Sequence, residues 1–374
     1  MEKIAAMSKK IEEIDKNFAD VQLSEKDSVY YDCLNAPFMV HGLYEPQKTK
    51  KYMRLPEKFL TNPALNEGVK QLMYNSAGGR IRFVTNSPYV EVVVRLSQTF
   101  IFRHMTIAGT AGADVYAAPA ENRTGSIYVG SVIPENDVDK TREYRGKLSF
   151  ENEQLREITV NLPLYSSVSD VLIGLKKGAE LKAPAPYRTE KPVVYYGSSI
   201  TQGGCASRPG NCYSARLSRL LDCDHINLGF SGSARGEQTM AEYIASLDMS
   251  AFVLDYDYNA LTLEELETTH HSFYRTVREK NSCLPIIMIS APHPHVVSDA
   301  KFEVGRSIEL SRAIIMKSYL KGIDAGDKNL YFIDGNGFFT GEDSDDCTVD
   351  NVHPTDLGFL YMARAIYALL RKLI

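Results

Sequence analysis

The apolar and polar positions of this chain follow two different periods, one on each side of about residue 190. In the first part, short segments alternate apolar with polar residues; they are GGRIRFVTNS (78–87), YVEVVVRLS (89–97), GSIYVGSV (125–132), REITVNLPLY (156–165) and VSDVLIGL (168–175). Such alternation is typical of strands with one buried face. Because no helical pattern intervenes, this part predicts a β-sandwich.

The second part alternates strand-like with helix-like segments. Its strand-like runs are VVYYG, HINLGF, AFVLDYDY, LPIIMIS and NLYFIDG, and amphipathic stretches such as LEELETTHHSFYRTVREK lie between them. This order predicts parallel strands joined by crossover helices on both faces of the sheet. The proline-rich segment LKAPAPYRTEKP (181–192) is the expected linker between the two parts.

These patterns divide the chain into three segments. We expect an N-terminal helical segment at 1–29, a β-sandwich domain at 30–186 and an α/β domain at 187–374. A chain of 374 residues is longer than one hydrophobic core usually organises. In the first segment, apolar residues lie singly among charges, which is typical of a surface helix.

Composition narrows the classes of partner. A net charge of −5 and a pI near 6.0 provide no basic face for nucleic acid. The charged start has no apolar core of a secretory signal, and no later run is long enough to cross a membrane, so we expect a cytoplasmic protein without a membrane partner. The six cysteines lack paired C-x-x-C spacing and are expected to be free thiols. Homo-oligomerisation is left open.

The segment VVYYGSSITQGG (193–204) places two serines at the end of a buried strand. Open α/β sheets bind their ligands at the carboxyl ends of the strands. Ser199 is therefore a candidate nucleophile, provided that a histidine removes its proton and a carboxylate orients that histidine. The alternative is structural, because Ser198 or Ser199 could instead cap the helix that follows.

The segment VDNVHPTDLGF supplies a matching pair. Asp350 precedes His353 by three residues, in a loop before the last amphipathic segment. Such a loop can present both side chains to one cleft, with the carboxylate behind the imidazole. The alternative is a helix N-terminus at which Asp350 complements the helix dipole.

Other histidines have simpler interpretations. His270 and His271 lie in a charged helical stretch and are expected to face solvent. His293 and His295 follow a strand and have the i, i+2 spacing of a metal-binding pair. Because no cysteine or carboxylate accompanies them at ligand spacing, we predict no metal site.

Attack on an ester also requires donors for the oxyanion. Gly232 in NLGFSGSARGE and Asn259 in LDYDYNA follow successive strands of the second part. Each has a structural alternative, a turn glycine and a capping asparagine. Gly232 and Asn259 both follow strands whose carboxyl ends lie at the same edge of the sheet as Ser199. This combination is more specific for an oxyanion hole than either residue alone.

Four segments, GSSITQG, GFSG, DYNA and DNVH, together resemble the blocks of the SGNH, or GDSL-type, hydrolase family. The resemblance implies a flavodoxin-like SGNH hydrolase domain with a Ser199, His353 and Asp350 triad. It also implies an oxyanion hole of Ser199, Gly232 and Asn259, and no metal or organic cofactor. Two departures are Ser198, where aspartate is usual, and a third block without the common Gly-x-Asn-Asp form.

The first part carries a second resemblance. MRLPEKF, SAGGRIRFVTNSPYVEVVVRL and GADVY (112–116) look like the jelly-roll-like module, with its Gly-x-Asp-Leu-Tyr pattern, of one branch of these hydrolases. Members of this branch are similar to carbohydrate esterases that remove O-acetyl groups, so the resemblance implies an acylated carbohydrate substrate. Candidate substrate contacts are Ser198, Arg208, Arg235 and His293, although the two arginines are explained equally well as solvent-facing loop residues.

Other functions fit the same blocks. An acyltransferase, a thioesterase or a lipid esterase would use the same site with another acceptor or acyl group. A lipid esterase requires an extended apolar groove, whereas the loops GGCASRPGN and GSARGEQ are small, polar and basic. A catalytically silent carbohydrate-binding protein is the alternative from another class, and the presence of all three triad residue types argues against it.

Overall fold

The computed structural model describes residues 25–121, 125–292 and 308–374. Residues 28–182 contain two antiparallel sheets, one of four strands in the order β1-β9-β4-β7 and one of six strands in the order β10-β3-β8-β5-β6, with β2 paired to β3. The strands are β1 Ser28–Asp32, β2 Met39–His41, β3 Arg80–Thr85, β4 Tyr89–Gln98, β5 Ala113–Pro119, β6 Ile127–Val132, β7 Glu143–Ser149, β8 Arg156–Asn161, β9 Ser167–Lys176 and β10 Leu181–Lys182.

The two antiparallel sheets enclose one apolar core. Val92 and Ile173 of the four-stranded sheet belong to the same buried cluster as Phe83, Val115 and Ile158 of the six-stranded sheet. Facing sheets that bury their inner side chains form a sandwich, so the predicted β-sandwich is confirmed. Four short helices connect these strands; they are α1 Pro46–Thr49, α2 Glu67–Leu72, α3 Ile107–Thr110 and α4 Val138–Thr141.

The second half is built on a five-stranded parallel sheet. Its order is β12-β11-β13-β14-β15, and all of its neighbouring strands run parallel. The strands are β11 Thr189–Gly197, β12 Cys223–Gly229, β13 Ala251–Asp255, β14 Ile286–Ile289 and β15 Leu330–Ile333. This is the flavodoxin-like order, with a topological switch point beside β11, where ligands of such folds bind. The predicted α/β class is therefore confirmed.

Helices cover both faces of the parallel sheet. They are α5 Ser199–Gln202, α6 Tyr213–Leu221, α7 Gln238–Ala245, α8 Leu263–Lys280, α9 Ile308–Asp324 and α10 Asp356–Leu370. Val194 and Tyr196 of β11 pack into the core on one face, with α7 and α8, and Val193 and Tyr195 pack into the core on the other face, with α6 and α10. Among the helices described, none is long and apolar enough to cross a membrane.

The two halves contact each other through a buried polar face of β3. All six residues of this strand are buried, although the sequence predicts one exposed face. Arg80 donates to the carbonyl of His225 and pairs with Asp224, both at the start of β12. Arg82 pairs with Glu157 and lies 3.8 Å from the ring centroid of Tyr187. The outward face of β3 is thus covered by the α/β half and by the segment that joins the halves.

The segment predicted as a linker is partly regular. Residues Leu181–Lys182 form β10 in the sandwich, and β11 begins at Thr189. The predicted domain boundaries stay predictions. The surface helix expected within residues 1–29 falls mainly on 1–24, which lie outside the described residues, while β1 already begins at Ser28.

Candidate active site

Ser199 is the first residue of α5, immediately after β11. Ser198 is the N-cap, and its hydroxyl accepts a hydrogen bond from the Ile200 N–H at 3.2 Å. The capping role that the sequence leaves open between the two serines therefore belongs to Ser198. The hydroxyl of Ser199 is left for another partner at the carboxyl edge of the sheet, and the residue is 8% exposed.

That partner is His353. The Ser199 Oγ and His353 Nε2 atoms are 2.8 Å apart, and His353 Nδ1 lies 2.8 Å from Asp350 Oδ2. The three side chains thus form one chain of hydrogen bonds from hydroxyl to carboxylate, which is the arrangement that allows an imidazole to remove a serine proton.

The loop that carries Asp350 and His353 is closed on itself. Thr348 and Pro354 form an isolated β-bridge, and Asn351 at the tip has a φ of 64°, a left-handed conformation that asparagine adopts more readily than most residues. Asp350 Oδ1 also accepts the His353 N–H at 2.7 Å, which fixes the carboxylate beneath the imidazole. The cap of α10 is Thr355 rather than Asp350.

The electrostatics of Asp350 follow from these bonds. Partial burial acts to raise its pKa, but the hydrogen bonds from the backbone and the ring of His353 outweigh burial and lower the pKa of the carboxyl below its ordinary value. Asp350 is therefore ionised at neutral pH and stabilises the Nδ1–H tautomer of His353, which leaves Nε2 as the basic atom toward Ser199.

Gly232 and Asn259 lie beside each other at the same edge. Gly232 follows β12 with a φ of 63°, and Asn259 ends a 3₁₀ helix after β13. The Gly232 N–H donates to Asn259 Oδ1 at 3.1 Å, and Asn259 Nδ2 donates to the Phe230 carbonyl at 2.9 Å. An amide nitrogen has two donors, so one N–H of Asn259 remains for a ligand.

Asp255 and Asp257 form hydrogen bonds with groups around this edge of the sheet. The hydroxyls of Thr201 and Tyr213 donate to Asp255 Oδ2 at 3.0 and 3.1 Å, and Asp257 Oδ2 accepts the Ala291 N–H at 2.9 Å. Burial, with the added charge of Asp257, raises the pKa of Asp255 well above its ordinary value. Both carboxyls therefore anchor the backbone and hydroxyls around α5 and β14.

The remaining candidate contacts have different surroundings. Arg208 Nη1 lies 2.7 Å from Asp114 Oδ2 and 2.6 Å from the Tyr116 hydroxyl. Arg235 Nε is buried with no hydrogen-bond partner among the residues that the structure describes. His293 lies outside the described residues, as does His295.

One prediction is wrong. His270 was expected to face solvent, but it is 1% exposed and stacks on Tyr256 with 5.6 Å between ring centroids. Burial lowers the pKa of His270 to about 3, so the ring is neutral at pH 7. His270 lies four residues after Leu266 and three before Phe273, so the helical period places it on the buried face of α8, which the expectation based on its charged neighbours overlooked.

The sequence patterns did not identify a loop of the sandwich that reaches this edge. The segment after β4 stacks Phe100 on Phe102, and Phe102 meets Tyr165 edge-to-face at 5.0 Å. The ring of His104 lies 5.4 Å from the ring of His353. The run of aromatic residues in QTFIFRHM is the only local signal of this loop, and nothing in its spacing connects it to a position 249 residues later.

Cys205 completes a cluster of potential metal ligands with two of these residues. One ligand atom each from His104, Cys205 and His353 lies within 4.8 Å of the others. Burial, together with the charge of Asp350, raises the pKa of the Cys205 thiol to about 12, so it is protonated at neutral pH in the absence of a metal.

Two family models match the chain. Residues 28–181 match the GxDLY model, described as the N-terminus of Esterase SGNH hydro-type, and residues 190–371 match the GDSL-like Lipase/Acylhydrolase family. No curated protein matches the chain.

Solved structures share the architecture. A Bacteroides ovatus protein proposed to be a GDSL-like lipase has a TM-score of 0.79 and 28% identity, covering 92% of this chain and 98% of its own. The salicylyl-acyltransferase SsfX3 of a tetracycline biosynthetic pathway has a TM-score of 0.71 and 17% identity, over 94% and 98%. The acetyl xylan esterase Est2A of the rumen bacterium Butyrivibrio proteoclasticus has a TM-score of 0.55 and 12% identity, over 92% and 98%. The last two show a shared fold alone.

Proposed function

We propose that this chain is a serine esterase that removes acetyl or other short acyl groups from carbohydrates. Residues 190–371 belong to the GDSL-like lipase and acylhydrolase family, and residues 28–181 match the N-terminal module of SGNH-type esterases. Family membership supports ester hydrolysis as the class of reaction. The observation that carries the mechanism is the pair of 2.8 Å contacts that links Ser199, His353 and Asp350.

The first half of the cycle is acylation of Ser199. As its Oγ bonds to the ester carbonyl carbon, the proton passes to His353 Nε2, and the ionised Asp350 stabilises the imidazolium. When the tetrahedral intermediate collapses, the bond from carbon to the sugar oxygen breaks and His353 returns the proton to that oxygen. The sugar alcohol then leaves.

The second half is hydrolysis of the acyl-enzyme. Water gives one proton to His353 as its oxygen bonds to the acyl carbon, and the carboxylic acid leaves as Ser199 regains a proton. The exposed fractions of the His353 and Asp350 side chains, 21% and 37%, support access of water to this base. An acyltransferase would use the same steps with a second alcohol in place of water.

Three donors converge on the position of the oxyanion in this proposal. They are the N–H groups of Ser199 and Gly232 and the free N–H of the Asn259 amide. Gly232 donates to Asn259 Oδ1 in the structure, so an incoming oxyanion would replace that oxygen as the acceptor. A Cβ at Gly232 would meet no atom within 4 Å, so the glycine is required by its φ of 63° and not by lack of space.

The surface beside the triad supports a sugar as the leaving alcohol. Phe100 and Phe102 from the sandwich are half-buried and stacked on each other, and Phe102 also contacts the ring of His104, which lies beside His353. Flat rings suit a compact, partly apolar ligand face. The neighbouring loops at 203–211 and 231–237 are small and polar, which favours a short acyl group over a long lipid chain.

Acetate release from a panel of esters tests the proposal. The panel contains O-acetylated xylan and mannan oligosaccharides, cellobiose acetates and p-nitrophenyl esters of increasing chain length. We expect acetate release from acetylated sugars that is lost in Ser199→Ala. The matched control is Ser169→Ala, which alters an exposed serine of β9 and should leave turnover unchanged.

Other results of this ester panel would indicate a different substrate, a different reaction or a protein without catalytic activity. Turnover of long-chain esters without turnover of acetylated sugars would replace the carbohydrate by a lipid or thioester substrate. Activity that appears only after addition of an alcohol acceptor would indicate an acyltransferase. Full activity in a folded Ser199→Ala variant would exclude the mechanism, and silence on every substrate would favour a binding protein.

A further inference from the structure

Three side chains from distant parts of the sequence meet beside the Ser199 hydroxyl. His104 comes from the loop after β4 of the sandwich, Cys205 from the loop after α5 and His353 from the loop before α10. One ligand atom of each lies within 4.8 Å of the other two. We propose that these residues form an inhibitory binding site for Zn²⁺, in which the metal binds His353, the general base of the proposed esterase.

The donor set fits the chemistry of zinc. Zn²⁺ binds imidazole nitrogen and cysteine sulfur, and sites with three protein ligands keep a fourth position for water or another ligand. Metal-to-nitrogen and metal-to-sulfur bonds of about 2.0–2.3 Å place tetrahedral ligand atoms about 3.3–3.6 Å apart. The ligand atoms, which lie within 4.8 Å of one another, must therefore move closer together, and the exposed His104 is the least buried of the three residues.

The environment of His353 already has the form of a metal ligand. Histidines that bind zinc usually donate their second ring N–H to a carboxylate, which fixes the tautomer and increases the basicity of the ligating nitrogen. Here His353 Nδ1 is bonded to Asp350 Oδ2 at 2.8 Å, so Nε2 is the atom available to a metal.

The same atom serves the proposed reaction. His353 Nε2 lies 2.8 Å from Ser199 Oγ, and a nitrogen has one lone pair in the plane of the ring. A bound metal therefore displaces the serine hydrogen bond, and a metal-bound His353 cannot accept the serine proton. Zinc binding and ester hydrolysis are mutually exclusive by this geometry.

The position of Cys205 is unusual for its residue type. Its φ is 70°, in the left-handed region where glycine is the usual residue. The thiol is buried and lies 3.4 Å from the His104 carbonyl oxygen, to which it donates. Local conformation thus disfavours a cysteine here, whereas its sulfur lies within 4.8 Å of a ring nitrogen of each histidine. On binding, the thiol proton passes to solvent and the thiolate bonds to the metal.

Direct metal binding provides the first test, and it is independent of any activity. The purified full chain is titrated with ZnCl₂ by calorimetry and with CoCl₂ by absorption, because a cobalt–thiolate bond gives a charge-transfer band in the near ultraviolet. The variants are His104→Gln and Cys205→Ser, which conserve polarity and size. The matched controls are His271→Gln and Cys283→Ser, a partly exposed histidine and an exposed cysteine outside the cluster.

We expect one Zn²⁺ per chain in the unaltered protein and in both controls. Removal of a ligand should weaken binding by at least about tenfold, since loss of even an indirect partner of a ligand costs that much, and Cys205→Ser should lose the cobalt–thiolate band. Ser199→Ala should still bind the metal. Absence of binding up to millimolar zinc, or equal affinity in both ligand variants, would overturn the site.

Inhibition provides the second test and rests on the proposed function. Zinc should abolish ester hydrolysis and excess EDTA should restore it, while the inhibitory concentration rises at least about tenfold in His104→Gln and Cys205→Ser, each compared with its own metal-free rate. If metal binds at the three residues but no ester is hydrolysed, the site stands and the proposed function fails. If hydrolysis proceeds and zinc bound at this cluster leaves it unchanged, the inhibitory role fails.

Discussion

Arg208 Nη1 lies 2.7 Å from Asp114 Oδ2, a contact that joins the loop before α6 to strand β5 of the sandwich. Asp114 belongs to the GADVY segment and is fully buried. It also accepts the Gly210 N–H at 2.8 Å and the Asn161 amide at 2.8 Å. This carboxylate therefore accepts three hydrogen bonds, and the two from Arg208 and Gly210 connect the α/β half to the sandwich.

We expect Asp114→Ala to lower the free energy of unfolding by about 3 kcal/mol, because it removes the carboxylate paired with the partly buried Arg208 and the acceptor of the buried Gly210 N–H and Asn161 amide. Chemical denaturation followed by circular dichroism measures the change. Asp139→Ala, at an exposed aspartate of the sandwich, is the control and should change stability by less than about 0.5 kcal/mol. A similar small change in Asp114→Ala would contradict the structural role of the contact.

Asn259 tests the oxyanion hole. Replacement by alanine removes both the remaining N–H donor and the acceptor that orients the Gly232 N–H. We expect kcat for an activated acetyl ester to fall by about a hundredfold or more, with a smaller change in KM, because the donor acts on charge that develops in the transition state. Unchanged turnover in a folded variant would remove Asn259 from the hole.

Phe102 tests the carbohydrate specificity. We expect Phe102→Ala to raise KM for acetylated oligosaccharides by about twofold to tenfold, the range given by loss of one aromatic contact. Hydrolysis of p-nitrophenyl acetate serves as the internal control, since its small alcohol does not extend to the rim. An equal loss on both substrates would instead indicate that Phe102 supports the site through its contact with Tyr165.

His270 gives a pH-dependent stability. Its folded pKa of about 3 lies below the ordinary value of 6.5, so the unfolded state binds a proton that the folded state excludes. The contribution of the neutral His270 ring to the free energy of unfolding is fully present above pH 6.5 and is lost as the pH decreases toward 3. Between pH 7 and pH 5 this one group should cost about 2 kcal/mol of unfolding free energy.

Urea denaturation at pH 7, 6 and 5 measures this slope. His270→Phe, which keeps an aromatic ring against Tyr256, should reduce the change between pH 7 and pH 5 by about 2 kcal/mol, and His271→Gln on the same helix should reduce it less. The buried His225, whose pKa burial also lowers, maintains part of the slope in both variants. If the two variants and the unaltered protein share one slope, His270 is not the group that titrates.

Several predictions depended on the local pattern alone and are confirmed. The change of period near residue 190 gave the sandwich and the parallel sheet, because strand alternation and the strand-helix repeat are properties of neighbouring residues. The predicted positions of Ser199, Gly232 and Asn259 at one edge follow from topology, since all parallel strands end at the same side of a sheet. The family resemblance is confirmed as well. The catalytic roles, the domain boundaries, the compartment and the oligomeric state stay predictions.

The local sequence pattern predicted side-chain exposure wrongly at some positions that other parts of the fold cover. Arg80 and Arg82 have the alternation of an exposed strand face, but the α/β half covers them and supplies Asp224 and a backbone carbonyl as partners. His270 lies among charged residues in the sequence, but the helical period places it on the same buried face as Leu266 and Phe273, beside Tyr256. The burial of the two arginines has no signal within a few residues, whereas the burial of His270 follows from this spacing.

The sequence by itself determined the two architectures and the order of the active-site segments, because both depend on short-range periodicity and on which residue follows each strand. Only the tertiary structure decided that Ser198 caps α5, that Arg208 holds Asp114, and that His104 and Cys205 lie beside His353. Such contacts join residues up to 249 positions apart. The Arg208–Asp114 and His104–His353 contacts depend on how the sandwich packs against the parallel sheet, which no local pattern encodes.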